Sequence, residues 1–88
     1  MELILLELIN ICIGAIDTDA YEAVMHYYKH DEYEMALEGL IIELVSTKYP
    51  LSKIKIKELL NLAKYYKLDT DSVFDADIWN KLMQWVKL

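Results

Sequence analysis

His26 and His30 stand four residues apart, with Asp31 and Glu34 close behind. On a helix that spacing puts two imidazoles on one face, where they converge well enough to hold a transition metal if a carboxylate supplies a third ligand. The plainer reading is a pair of solvated histidines on an exposed face, and short motifs of this kind more often mean that. No nucleophile elbow, Gly-rich phosphate loop or paired Cys motif accompanies them. The fifteen Asp and Glu fall mostly on polar faces by periodicity, where nothing shifts a carboxyl towards neutrality for acid–base work. We therefore expect no catalytic residue, no metal and no cofactor, and a protein that is not an enzyme.

A stronger pattern lies just downstream. Asp31, Met35, Glu38 and Ile42 share one face at helical spacing, flanked by Glu32, Gly39 and Glu43. Two large apolar residues on an otherwise acidic stripe fit a contact patch, in which acids steer a basic partner and Met35 and Ile42 supply dry area. The alternative is that the first or the last helix covers this stripe, which would make Met35 and Ile42 ordinary core. The candidate contact set is Glu22, Asp31, Glu32, Glu34, Met35, Glu38 and Ile42. Seven tyrosines add to it, two pairs of them adjacent (Tyr27 and Tyr28, Tyr65 and Tyr66). In each pair one ring can enter the core while the other keeps its hydroxyl wet at the rim.

Charge is distributed unevenly along the chain. Residues 1–47 carry ten acids and one Lys, residues 48–67 six Lys and one Glu, and residues 68–88 four acids and two Lys. The net charge is −6, and all nine basic residues are Lys. An acidic protein without Arg is poorly suited to nucleic acid or an anionic membrane, so we expect neither as a partner. Lys53, Lys57 and Lys64 share one side near Tyr65, a combination that elsewhere binds phosphates and stacks bases. Here the acidic remainder would repel a polyanion, and a solvated face paired with acids of the second or third helix is the simpler account.

The elements that position these residues are helical throughout. With 88 residues there is room for one domain, and 56% hydrophobic residues is enough for a real core. Two Gly and one Pro are too few turn residues for a sandwich or barrel of short strands. Periodicity predicts an all-α bundle of about five helices. The first runs from Glu2 to Ile13, ends at Gly14, is apolar nearly all round and should be the central one. The second, capped by Asp17 or Thr18, runs to Lys29 with Ala20, Tyr21, Val24, Tyr27 and Tyr28 inward. The third starts at Asp31, with Glu34 as its reciprocal capping partner, and reaches Thr47 with Tyr33, Leu37, Leu40, Ile41 and Leu44 inward. Pro50 breaks the pattern, and Ser52 caps a fourth helix to Lys67 that buries Ile56, Leu59, Ala63 and Tyr66. After an acidic connector, Asp75 or Asp77 opens a last helix burying Trp79, Leu82 and Val86. The lone Cys12 suits a reducing compartment. No signal-peptide pattern is visible, and the apolar run from Leu3 to Ile16 is too short to span a bilayer. We expect a soluble, cytoplasmic protein.

The stretch His30-Asp31-Glu32-Tyr33-Glu34-Met35-Ala36-Leu37-Glu38-Gly39-Leu40 resembles small immunity proteins encoded beside bacterial polymorphic toxins. The likeness is to the MafI-like group and the CdiI-type proteins of contact-dependent growth inhibition. Their pattern is an aromatic-and-acid second helix, a Glu-aromatic-x-x-Ala-apolar-Glu stretch, a Pro-containing break, then a helix and a Trp-bearing end. Here the matching residues are Glu32, Tyr33, Ala36, Leu37 and Glu38, then Pro50, Leu68-Asp69 and Trp79, from about Tyr21 onward. The resemblance implies an immunity protein that blocks the C-terminal nuclease domain of a secreted toxin, often an RNase and in some cases of the EndoU type. An acidic surface laid over a basic nuclease site agrees with that implication. Two rival expectations stand beside it: an adaptor or regulatory bundle that binds a host protein or homodimerises through the first helix, and a nucleic-acid regulator using the fourth. As an immunity protein the chain would be a monomer or weak dimer.

Overall fold

The five periodic stretches form five helices in a computed structural model that describes residues 1–87: α1 (Glu2–Ile11), α2 (Thr18–Lys29), α3 (Tyr33–Thr47), α4 (Lys53–Tyr65) and α5 (Ile78–Val86). The fold is all-α, with no strand among the described residues. Local chemistry sets some of the ends, and of the five N-termini only that of α4 has a side-chain cap bond. Ser52 is the N-cap of α4, its Oγ accepting the Lys55 N–H at 3.3 Å. Asp77 is the N-cap residue of α5. After α1 the chain turns through Gly14 at φ +84°, a conformation with little penalty only for glycine, three residues beyond Ile11, where the helix has already ended. α3 closes on Lys48 in the left-handed region, with the Tyr49 N–H returning to the Leu44 carbonyl at 3.2 Å.

The start of α3 departs from expectation. Asp31 is not its cap; it sits outside the helix at φ +60°, and Glu32 occupies the N-cap position without a side-chain cap bond. The α2–α3 turn is so tight that the Glu32 N–H donates to the Tyr27 carbonyl at 2.9 Å. That return leaves Asp31 in the left-handed conformation, which Asp tolerates better than most residues.

The centre of the bundle is α3, not α1. It packs against all four other helices and buries Ala36, Leu37, Glu38, Leu40, Ile41 and Leu44. α1 buries Leu5, Leu8 and Ile9 but leaves Leu3 and Ile11 exposed beside Glu7 and Asn10. The apolar content of α1 is therefore spread over a buried and an exposed face. Gly39 lets α2 and α3 approach closely, since a Cβ there would stand 3.3 Å from the Val24 Cγ2. Cys12 is buried as a small hydrophobe, and burial pushes its thiol up to about 11, so it is no nucleophile at neutral pH. α5 buries Ile78, Leu82 and Trp85, one register away from the expected Trp79 and Val86, which are half-buried. No helix among the described residues is long and apolar enough to cross a membrane.

Candidate functional site

The acidic stripe on α3 divides into two environments. Glu38 lies in the core, fully buried, and its carboxylate accepts three consecutive backbone N–H groups from the α4–α5 connector. Oε1 takes Val73 at 2.7 Å; Oε2 takes Phe74 at 2.9 Å and Asp75 at 2.8 Å. Successive N–H groups of this kind form a concavity that holds an anion, and here the anion is a side chain of the same molecule. Hydrogen bonding continues outward from there. Asp75 accepts the Asp77 N–H at 2.9 Å and pairs with Lys81 of α5 at 2.6 Å, and these contacts hold its carboxyl below the usual carboxylate range.

Glu38 is thus not an outward contact residue. It joins α3 to the connector, which then sets the start of α5. The cover over this part of the stripe comes from the connector, neither from the first nor from the last helix alone. Ile42 is half-buried and packed on the core, between Ala20, Ala23 and Tyr27 of α2 on one side and Asp75 and Ile78 on the other. Met35 is half-buried as well.

The other environment is the end of the molecule where the α2–α3 turn meets the start of α1 and the end of α4. Asp31, Glu32 and Glu34 are all exposed there. The Tyr28 hydroxyl donates to the Glu2 carbonyl at 3.0 Å, and the Tyr33 hydroxyl donates to Asp31 Oδ1 at 2.9 Å. The rings form a chain: Tyr28 to Tyr33 at 5.3 Å, Tyr33 to Tyr66 at 6.2 Å, and Tyr66 to Tyr65 at 4.9 Å, the first and last edge-on. The bond to Asp31, then partial burial, then the charges of Asp31 and Glu2 push Tyr33 up to about 12. Tyr66 is also raised, by burial first and then by the charges of Glu2 and Glu34 among others.

Four tyrosines framed by Glu2, Asp31 and Glu34 make an acidic and aromatic face, suited to ammonium or guanidinium groups by charge and by cation–π contact. Of the expected contact residues, the fold brings Asp31, Glu32 and Glu34 together at this end. Glu22 is exposed elsewhere on α2, beside Tyr21, Met25, His26 and Lys29. Of the two adjacent tyrosine pairs, Tyr65 and Tyr66 divide into one exposed and one half-buried ring, whereas Tyr27 and Tyr28 are both half-buried. Glu2 is the residue the pattern missed, because only the packing of α1 brings it beside Tyr28 and Tyr66.

The two histidines stack at 4.3 Å, and His30 Nδ1 lies 2.8 Å from the His26 carbonyl. Among the described residues no group of three His, Cys, Asp or Glu side chains gathers to hold a metal. On α4, Lys53, Lys57 and Lys64 are exposed, and none forms an ion pair among the described residues. The lysine that does pair is Lys55, with Glu58 of its own helix at 3.2 Å and Glu7 of α1 at 3.9 Å, and not with α2 or α3.

Comparison with protein-family models, with curated proteins and with solved structures gives no match for this chain.

Proposed function

We propose that this chain is an immunity protein that binds and neutralises a basic partner, the nuclease domain of a secreted bacterial toxin, by laying an acidic surface over its phosphate-binding site. The observation that supports this reading is the face formed by Glu2, Asp31 and Glu34 with Tyr28, Tyr33, Tyr65 and Tyr66, on a chain of net charge −6. Exposed carboxylates speed encounter with a cationic surface, and tyrosine gives contact area at low entropic cost. Nuclease sites are rich in Lys and Arg because they bind phosphates, so such a face imitates the charge of the substrate it excludes. The resemblance of residues 30–40 to MafI-like immunity proteins points the same way.

The test begins with capture of the tagged protein from its native host with the neighbouring genes intact. The expected result is one stoichiometric basic partner that corresponds to the C-terminal end of a larger secreted protein. With that domain in hand, Asp31→Lys combined with Glu34→Lys should slow association by about 10- to 100-fold at low salt and weaken protection from the toxin. Glu38 is excluded from this reversal because a lysine there would unfold the connector. Full affinity in the double variant would refute this placement of the interface. Recovery of the protein alone, or with a cytosolic enzyme, would refute the immunity reading itself.

A further inference from the structure

The polar bonds of residues 72–87 are almost entirely their own. Lys81 pairs with Asp75, Asn80 Nδ2 donates to Asp77 Oδ1, and the Asp77 N–H donates to Asp75 Oδ1. The N–H groups of Ile78, Lys81 and Lys87 return to the carbonyls of Asp75, Asp77 and Met83. Among the described residues, the only hydrogen bonds or ion pairs that tie this segment to the rest of the molecule are the three that Glu38 accepts from Val73, Phe74 and Asp75.

The remaining attachment is apolar and one-sided. α5 turns Ile78, Leu82 and Trp85 towards the core and packs chiefly on α3. The other four helices close on one another: α1 packs on α2, α3 and α4, and α3 packs on α2 and α4. The boundary before the segment is equally clear. Lys67 stands at φ +62°, and its carbonyl accepts the Thr70 and Asp71 N–H groups at 3.2 and 2.7 Å. Leu68 is buried, with its N–H on the Ala63 carbonyl at 2.8 Å. The 67–71 turn therefore belongs to the end of α4, and Ser72 is the first residue that can move without breaking it.

We infer that the connector from Ser72 together with α5 is a strap that opens as one unit while α1–α4 stay folded. In opening, the Glu38 carboxylate exchanges three amides for water, and the apolar side of α5 leaves α3. A detached helix of nine residues is too short to persist, so the α5 amides are released together with those of the connector. Opening uncovers the side of α3 that carries Glu38, Ile42 and Val45, beside which Asp75, Ile78 and Lys81 lie in the closed form. That side continues the acidic stripe whose exposed end carries Asp31 and Glu34. The strap is thus a built-in cover that sets how much of the stripe meets solvent. The inference does not depend on the toxin reading, because none of the residues of the acidic tyrosine face lies in the strap.

Native-state hydrogen exchange of the full chain over a series of sub-denaturing urea concentrations tests it. The amides of Val73, Phe74 and Asp75 and those of Leu82 to Val86 should fall on one shared, urea-dependent curve. Without urea they should exchange at least about 10-fold faster, relative to their intrinsic rates, than the slowest amides of α1 and α3. Two matched substitutions then define the unit. Ile78→Val removes a methylene from packing that is lost both when the strap opens and when the whole chain unfolds, so it should accelerate both sets by about 3- to 10-fold. Ile9→Val on α1 touches packing that survives strap opening; it should accelerate the α1 and α3 amides by a similar factor and leave the strap amides unchanged. Strap amides that exchange only with the whole molecule, that differ from one another without urea dependence, or that respond to Ile9→Val as α1 does would overturn the inference.

Discussion

Glu34 and Glu38 are one helical turn apart on α3, identical in chemistry and both part of the acidic stretch that the sequence marks for attention. Glu34 is exposed at the tyrosine end of the molecule. Glu38, four residues on, is fully buried and accepts three backbone N–H groups from residues 35 to 37 positions away. The difference does not arise in α3. It comes from the connector, which crosses α3 at Glu38 and leaves Glu34 uncovered. A buried carboxylate survives only when its oxygens are satisfied, and three amides satisfy this one; no buried side-chain polar atom among the described residues lacks a partner. One carboxylate therefore stabilises the fold, and its neighbour is available to a partner.

The sharpest way to break that contrast is the same conservative substitution at both sites. Glu38→Gln keeps the shape but puts an amide nitrogen where Oε1 or Oε2 accepted, so at least one connector N–H loses its acceptor. We expect a loss of about 2–4 kcal/mol in urea denaturation, with hydrogen exchange of the Val73, Phe74 and Asp75 amides accelerated more than that of the helices. Glu34→Gln should change stability by less than about 0.5 kcal/mol. Equal effects at the two sites would mean that the grip on the connector contributes little.

A smaller effect separates hydrogen bonding from apolar packing in the same region. Phe74 is half-exposed, with its ring 5.7 Å from Tyr27. Phe74→Ala should cost about 1 kcal/mol, well below the Glu38 substitution, because much of the ring is already in water. A loss as large as that of Glu38→Gln would show that the ring anchors the connector.

This contrast also marks how far the sequence could be read. Helix number and most inward positions are legible because they depend on periodicity within one segment; the period places Leu37, Leu40, Ile41 and Leu44 in the core of α3, and they are buried. Pro50 and Ser52 marked the break and the cap of α4 by local chemistry alone. What periodicity could not supply was which outward-looking face another segment would later cover. Glu38 looked like Glu34 because the residues that bury it are in the connector, where no period of 3.6 operates. α1 looked central because nearly all its residues are apolar, and composition does not distinguish a helix surrounded on all sides from one with an exposed apolar face. Residue type marks Asp31 as a cap, but the backbone return from the Glu32 N–H to the Tyr27 carbonyl places it outside the helix. The tyrosine face was half legible: the adjacent pairs pointed to rim positions, but Glu2 enters it only through packing.

The exposed end of α3 offers the finest test, through the bond that ties Asp31 to Tyr33. The Tyr33 hydroxyl donates to Asp31, so the fold holds the phenol protonated and its pKa stands at about 12 against a usual 10.0. The folded chain then keeps this proton more tightly than the unfolded one. Its contribution is fully present below about pH 10 and is lost as pH rises through about 12. Burial of Cys12, raised from 9.0 to about 11, acts with the same sign over a lower window. Stability should therefore decline over a broad alkaline window, to which the raised Tyr66 phenol and Lys81 ammonium also contribute, and Tyr33→Phe should remove only the part that Tyr33 supplies at its upper end. Tyrosinate absorbance checks the assignment directly: the wild-type chain should show phenols that ionise late, and Tyr33→Phe should remove the latest of them. If that step persists in the variant, Asp31 does not hold the Tyr33 proton, and the acidic end of α3 is a looser surface than the geometry describes.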